Sequence, residues 1–196
     1  MMQKKVQIIS DGSLDLSQEL TKEKDIEVVP FYVSFDSETY QKEMVEVGVR
    51  EFYQEMVDHP TVFPKTSMPS VHDYYEVFEK YAKEQLPVIC ICITRKFSGS
   101  LQSATTAKDM ILEEYPDAQI TVIDTTVNTV LQGLYVLEAC RLRDMGLEYQ
   151  QIVDALLPIR ETGRIFFTIG SIDYLKHGGR IGKLAGIEAS ALKIKH

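Results

Sequence analysis

Residues 87–94 read PVICICIT, and this stretch decides the fold class because it is an almost uninterrupted apolar run. A short run of this kind is typical of a β-strand that is covered on both faces, as strands of parallel sheets are. Three of the four β-type runs in the chain share this character. The four runs are residues 6–10 (VQIIS), 26–35 (IEVVPFYVSF), 87–94 and 119–125 (QITVIDT). Cys90 and Cys92 lie on one face of the third run, where we expect buried, reduced thiols.

Helical patterns lie between and after these runs. They cover residues 49–59, 70–85, 101–115 and 130–146, and Gly146 is placed to end the last of them. A further helix is predicted over residues 147–163, followed by a strand over 164–170 and by short helical segments around a glycine turn. Strands that alternate with helices favour right-handed βαβ units, so we expect an α/β fold with a parallel sheet flanked by helices.

The charge of the chain limits the choice of partners. A formal net charge of -8 and the lack of a basic stripe argue against nucleic acid. The short apolar run near the start reaches Asp11 too soon for a signal peptide, and no apolar run approaches the roughly 20 residues that cross a bilayer. We therefore expect a cytoplasmic protein without a transmembrane segment.

Hydroxyl-rich motifs lead into two of the predicted helices. Residues 65–70 read KTSMPS, with Ser70 as the natural N-cap of the next helix, and residues 97–104 read FSGSLQSA. Two helix starts with hydroxyls and free amides suit an anion such as a carboxylate or a phosphate. The candidate ligand-binding residues of the two motifs are Thr66, Ser67, Ser98, Gly99 and Ser100. The alternative is that these hydroxyls only cap helices.

A second group of polar residues follows the predicted strands and is expected to support the site. Its members are Ser10, Asp11, Asp124, Thr125 and, later in the chain, Arg180. Asp11 and Asp124 could hold a metal or tie down neighbouring loops, and we favour the second role because no metal-ligand spacing is present. Arg180 could meet an anion or form an exposed ion pair.

Several motifs occur in an order that resembles the DegV family of bacterial lipid-binding proteins. They are SDGSLDL (10–16), EFYQEM (51–56), KTSMPS, FSGSLQSA, VIDT (122–125), YLKHGGRI (174–181) and LKIK (192–195). Their order and spacing match over essentially the whole chain, although Met68 stands where the family usually has glutamine. The resemblance implies a DegV-like N-terminal α/β lobe over residues 1–162. It also implies that residues 163–196 begin an incomplete second α/β lobe, truncated relative to the family.

The same resemblance implies a function. Characterised relatives are the acyl-binding subunit of fatty acid kinase, and they present a bound fatty acid to a separate kinase subunit that makes acyl phosphate for phospholipid synthesis. By this resemblance Thr66 and Ser98 contact the carboxylate of a long-chain fatty acid. The protein itself would not be an enzyme, and the fatty acid would be its ligand in the absence of any cofactor.

Other functions stay open at this point. One alternative is a small-molecule phosphotransferase or hydrolase that uses the region of Ser98 and Asp124, although no histidine has a motif context that marks it as a base. Another is a remnant that binds no lipid because its second lobe is incomplete. An apolar face that the second lobe leaves uncovered would favour a homo-oligomer.

Overall fold

The computed structural model describes residues 6–166, 168 and 173–179. Within these residues seven strands occur: β1 (Gln7–Asp11), β2 (Ile26–Val29), β3 (Tyr32–Ser34), β4 (Gln41–Lys42), β5 (Lys65–Ser67), β6 (Val88–Cys92) and β7 (Ile120–Asp124). The helices of the same residues are α1 (Gln18–Glu23), α2 (Val49–Asp58), α3 (Val71–Lys83), α4 (Ser100–Glu114), α5 (Thr129–Asp144), α6 (Tyr149–Ile159) and α7 (Asp173–His177), with a single 3-10 turn at Gly12–Leu14.

A parallel sheet forms the centre of the molecule. Its strand order is β2-β1-β6-β7, and each neighbouring pair is parallel. The two inner strands, β1 and β6, are buried along their whole length. This arrangement confirms the α/β fold with a parallel sheet flanked by helices.

The apolar run over residues 87–94 contributes side chains to the hydrophobic cores on both faces of this sheet. Ile89 and Ile91 pack on one face in a core that includes Val136 of α5 and Ile152 of α6. Because side chains of a strand alternate, Cys90 and Cys92 belong to the core on the opposite face, where α3 and α4 pack. Both cysteines are free thiols with 0% exposure, so the predicted buried, reduced state is confirmed for them.

Two helix ends are formed as the sequence predicts. The Ser70 hydroxyl accepts a hydrogen bond from the Asp73 amide at 3.1 Å, and the Asp73 carboxylate accepts one from the Ser70 amide at 2.8 Å. This reciprocal pair is a capping box at the start of α3. Gly146 lies just beyond α5 with φ +86°, in the left-handed region that glycine adopts without strain.

The strand predicted over residues 26–35 is wrong as a single element. It is divided at Pro30, which has no amide hydrogen for a sheet ladder. β2 stays in the parallel sheet, whereas β3 joins a small antiparallel sheet of order β4-β3-β5. The strands β4 and β5 and the short helix α1 were not predicted from the sequence pattern.

The later part of the chain also differs from prediction. The helix predicted over residues 147–163 ends at Ile159, directly after Pro158, which cannot donate the hydrogen bond that continues a helical turn. The strand predicted over residues 164–170 is described only at 164–166 and 168, and these residues are not in a strand. Most of residues 163–196 lie outside the described residues, so the division at 162 and 163 stays a prediction. Among the described helices, none is long and apolar enough to span a bilayer.

A close approach between α5 and the 3-10 turn holds the fold together near β1. A Cβ atom on Gly133 would lie 2.3 Å from the backbone oxygen of Leu14 and 2.8 Å from the Leu16 side chain. Backbone at this distance cannot move aside without shifting the turn. The contact therefore requires glycine, although glycine is a poor helix former.

We expect Gly133→Ala to lower the free energy of unfolding by about 1–3 kcal/mol, because the overpacking cost exceeds the gain in helix propensity. Urea denaturation monitored by circular dichroism measures the change. The control is Leu134→Ala on the next, exposed position of α5, which should change stability by no more than about 0.5 kcal/mol. A Gly133→Ala variant as stable as the parent would show that the turn is free to move.

Candidate functional site

The candidate site lies at the edge of the parallel sheet where the strands end. In open parallel sheets this carboxyl edge is the usual place for a ligand. β1 ends at Asp11, β7 ends at Asp124, and the loop that follows β6 carries Ser98 and Gly99 to the start of α4. Parallel pairing therefore brings these predicted residues to one edge.

The buried side chain of Asp11 joins several chain segments at this edge through hydrogen bonds. Its side chain is fully buried and accepts four hydrogen bonds. One carboxylate oxygen accepts from the Ile93 amide at 2.9 Å and the Ser100 hydroxyl at 2.7 Å; the other accepts from the Gln132 side-chain amide at 2.8 Å and the Ser13 amide at 3.3 Å. The donors belong to the loop after β6, to α4, to α5 and to the 3-10 turn, so one carboxylate joins four segments.

A hydrogen-bonded chain continues from Asp11 into the core. Because the Ser100 hydroxyl gives its proton to Asp11, the Tyr74 hydroxyl donates to Ser100 at 2.6 Å. Burial raises the pKa of Tyr74 well above its usual value, which keeps this donor protonated. Gln132 also donates to the Ser10 hydroxyl at 3.1 Å, and Ser10 in turn donates to the Ile91 carbonyl at 2.9 Å.

This geometry fits the favoured role of Asp11 as a loop tether. Burial raises the pKa of the Asp11 carboxyl, while the hydrogen bonds from Ile93, Gln132, Ser100 and Ser13 act in the opposite direction. In the described part of the chain, no group of three or more histidine, cysteine and carboxylate side chains is arranged to hold a metal. A carboxylate saturated with four donors therefore works here as a structural anchor.

Asp124 at the end of β7 and Thr125 directly after it, both predicted to support the site, also contact neighbouring segments. Asp124 accepts a hydrogen bond from the Thr126 amide at 2.9 Å and lies 3.5 Å from the Arg95 side chain. Thr125 is fully buried, and its hydroxyl lies within hydrogen-bond distance of the Cys92 and Val127 carbonyls, at 2.9 Å and 3.0 Å. These contacts tie the end of β7 to the end of β6. Arg180 lies outside the described residues.

Thr66 and Ser67 lie on β5, an exposed edge strand, and point to opposite faces. Pairing with β3 places Thr66 opposite Val33 and Ser67 opposite Tyr32. Side chains directly opposite each other share a face of an antiparallel pair, so Thr66 shares the face of Val33 and Ser67 shares that of Tyr32. The Thr66 hydroxyl forms no hydrogen bond with any described residue and is exposed.

The start of α3 is tied to the small sheet through Asp73. The Asp73 carboxylate accepts a hydrogen bond from the Tyr32 hydroxyl at 2.8 Å and lies 3.5 Å from the Lys42 ammonium group. Although burial opposes ionisation, the hydrogen bonds from Ser70 and Tyr32 lower the pKa of Asp73 below its usual value. The charged cap thus joins β3, β4 and the residues that follow Thr66.

One contact brings the two hydroxyl motifs together. A Cβ atom placed on Gly99 would lie 2.6 Å from the Met68 sulfur and 3.2 Å from its methyl carbon. The Met68 thioether therefore lies directly on the backbone of Gly99. This contact joins residues 65–70 to the start of α4, as the sequence predicted for the two helix starts.

The hydroxyl of Ser98 is oriented for donation. Its oxygen accepts a hydrogen bond from the Ser100 amide at 3.2 Å, and its proton is donated to none of the described residues. Gly99, the N-cap of α4, has no side chain, so the side-chain bond at this helix start is the one between Ser98 and the Ser100 amide. Ser100 is fully buried, and its hydroxyl donates to Asp11. Within the described part of the chain, the open donors at this edge are therefore the hydroxyls of Thr66 and Ser98 and the first-turn amides of α4 that follow Ser100.

An acyl chain would also need an apolar slot, and the sequence offers six residues that could help line it: Phe31, Val33, Phe35, Phe63, Ile93 and Phe167. Their surroundings in the structure are mixed. Val33 and Ile93 are buried at 5% and 9% exposure. Phe35 packs on Phe52 with ring centroids 5.2 Å apart, and Phe63 stacks on His177 at 3.7 Å. Phe31 is partly buried, and Phe167 lies outside the described residues. The Phe63 contact places the YLKH motif of α7 beside the segment that precedes Thr66.

Sequence reasoning missed two residues of the buried network, Tyr74 and Gln132. Both lie within helical patterns, where an aromatic or a glutamine has no distinctive local meaning. Their partners lie 18 or more residues away along the chain, so the pairing depends on the tertiary fold.

The fold and the edge residues define a parallel α/β protein with a candidate ligand site at the carboxyl ends of its strands. The chain belongs to the DegV family: the model of that family, described as an uncharacterised protein family, matches residues 5–196. A DegV domain-containing protein of Clostridium perfringens is 31% identical over 189 residues, and one of Clostridium acetobutylicum is 32% identical over 191 residues. The chain spans 66% of the length of each of these relatives.

Solved structures of the family share the fold. A fatty acid (stearic acid)-binding protein from Eubacterium ventriosum is 47% identical with a TM-score of 0.88, over 96% of this chain and 64% of that one. A fatty-acid-binding DegV family protein from Thermus thermophilus is 30% identical with a TM-score of 0.77, over 96% and 65%. The Streptococcus pneumoniae fatty acid kinase (Fak) B3 protein, loaded with linoleic acid, is 25% identical with a TM-score of 0.76, over 93% and 63%.

We expect Asp11→Asn to lower the free energy of unfolding by about 1–3 kcal/mol. Each carboxylate oxygen of Asp11 accepts a hydrogen bond from a backbone N–H. In either orientation of an asparagine side chain, its N–H₂ group would therefore face one of these N–H donors, and that hydrogen bond would be lost. Chemical denaturation measures the loss. Asp15→Asn is the matched control, because Asp15 accepts no hydrogen bond from a described residue and adopts φ +49°, which asparagine tolerates. Equal stability of the two variants would contradict the anchoring role of Asp11.

Proposed function

We propose that the protein binds a long-chain fatty acid and presents its carboxylate to a separate kinase subunit, which forms the acyl phosphate. The Thr66 and Ser98 hydroxyls, together with the first-turn amides of α4 that follow Ser100, receive the carboxylate. The acyl chain extends along the face that Val33 shares with Thr66. The protein contributes binding and orientation, and the partner contributes catalysis.

The observation that carries the proposal is the similarity to a stearic acid-binding protein at 47% identity and a TM-score of 0.88. At this identity the fold and the placement of the strand edge are shared closely enough for a similar ligand class. The Thermus thermophilus protein and the linoleic acid-loaded Fak B3 protein support the same ligand class. The fatty acid kinase relative also supports a kinase as the partner.

The arrangement of donors supports a carboxylate ligand. The segments that carry the Thr66 and Ser98 hydroxyls are joined by the Met68–Gly99 contact, and the start of α4 adds partial positive charge. Hydrogen bonds to a charged acceptor are the stronger kind. Because these donors are neutral, they hold the anion without neutralising it, and a carboxylate oxygen stays nucleophilic for transfer of a phosphoryl group.

The alternative of an independent hydrolase or phosphotransferase lacks support at the site. Among the described residues, no histidine or carboxylate hydrogen-bonds the Ser98 hydroxyl, whose polar contact is the Ser100 amide. A serine nucleophile needs a base at that position. Asp124 contacts Thr126 and Arg95. A cytoplasmic location and self-association stay predictions.

We expect Thr66→Ala and Ser98→Ala each to weaken binding of stearate by about 1–3 kcal/mol, since each removes a donor to a charged oxygen. Titration of the delipidated chain by calorimetry or by displacement of a fluorescent fatty acid measures the change. Ser67→Ala is the control, because its side chain lies on the opposite face of the same strand.

Three outcomes of that titration are informative. Loss of affinity in the Thr66 and Ser98 variants with an unchanged Ser67 variant supports the assigned contacts. Unchanged affinity in all three removes these hydroxyls from the site. A chain that takes up no fatty acid contradicts the proposed function as a whole.

A further inference from the structure

Met68 occupies a position from which it can act on the ligand and not just on the fold. Its side chain is 44% exposed although its thioether lies on the Gly99 backbone. The thioether is therefore covered by Gly99 on one side, while the residue as a whole stays exposed. A methionine that served packing alone would be enclosed on more sides.

The backbone places Met68 on the same side as Thr66. Thr66 lies in β5, and Met68 precedes Pro69, which restricts Met68 to an extended conformation. Two residues apart in an extended chain, the side chains of Thr66 and Met68 point the same way, about 6–7 Å apart. Since the thioether reaches Gly99, the Thr66 hydroxyl also faces the start of α4.

The open donors and the thioether thus form adjoining parts of one surface. The hydroxyls of Thr66 and Ser98 take the carboxylate, and the thioether lies beside the place of the first few carbons of the chain. The thioether offers those carbons no hydrogen-bond donor, and its sulfur is a weak acceptor. A hydroxyl group on the ligand there would lose water without gaining a partner.

We propose that Met68 is a specificity-determining residue that selects fatty acids whose carbons next to the carboxylate are unsubstituted and discriminates against 3-hydroxy fatty acids. The proposal rests on the proposed function, since it concerns the same carboxylate site. The discrimination arises from the unpaired ligand hydroxyl against the thioether.

The test compares two ligands on matched variants of the full chain. Met68→Gln keeps the length of the side chain but supplies an amide donor and acceptor beside the ligand. Met68→Leu keeps the apolar character. Met110→Gln is the control for the chemical change itself, because Met110 has the same exposure of 44% and lies on α4 ten residues after Ser100, about 15 Å along the helix axis.

The readout is the ratio of dissociation constants for 3-hydroxypalmitate and palmitate. We expect this ratio to exceed about tenfold in the parent, the Met68→Leu variant and the Met110→Gln variant, and to fall by about tenfold in Met68→Gln. A structural role for Met68 would weaken both ligands together and leave the ratio unchanged. Thermal unfolding of each variant confirms that the comparison is made between folded proteins.

The failure of this proposal is distinct from failure of the proposed function. A ratio in Met68→Gln equal to the parent ratio, with both ligands bound, overturns the role of Met68 and leaves the fatty-acid site in place. A parent ratio near one also overturns it. If the parent binds neither palmitate nor 3-hydroxypalmitate, the proposed function fails and the specificity proposal fails with it.

Discussion

The buried carboxylate of Asp11 is the constraint on which this edge of the sheet depends. In the described part of the chain, no lysine or arginine forms an ion pair with it, so its charge is stabilised by hydrogen bonds alone. A buried charge without partners would be very costly, and the four donors must therefore stay in place together. Their positions fix the loop after β6, the first turn of α4, the face of α5 and the 3-10 turn relative to one another. The close approach of Gly133 to Leu14 follows from the same arrangement.

The hydroxyls proposed to bind the ligand do not contact Asp11, but the Asp11 hydrogen bonds fix the segment that carries Ser98. The Ser100 hydroxyl donates a hydrogen bond to Asp11, and the Ser100 amide donates one to the Ser98 hydroxyl oxygen. The position of Ser100 on the buried carboxylate therefore sets the orientation of the Ser98 hydroxyl. Thr66 is held from the other side by the capping box at the start of α3 and by the tyrosine bond to Asp73. The Met68 side chain joins the segment that carries Thr66 to the start of α4 by packing on the Gly99 backbone. Donors that are already fixed lose little conformational entropy when a ligand binds, and this preorganisation favours affinity.

Local patterns were enough for much of the fold and for part of the site. The apolar run over residues 87–94 predicted a strand covered on both faces, and Ser70 predicted the helix start, because both signals act within a few residues. Pro30 carried a signal that was overlooked, since a proline inside a strand pattern marks a break. The strand β5 could not be predicted from residues 65–67 alone, because it exists through pairing with β3. Tyr74 and Gln132 were out of reach for the same reason: their role depends on partners brought close by the fold.

Under the proposed function, the neutral donors of this edge hold a fatty-acid carboxylate and leave it open to a partner. The most direct test is a crystal structure of the full chain with bound stearate. The account predicts carboxylate oxygens within about 3.2 Å of the Thr66 and Ser98 hydroxyl oxygens, with the first carbons of the chain against the Met68 thioether. A carboxylate bound elsewhere, with both hydroxyls left to solvent, would contradict it.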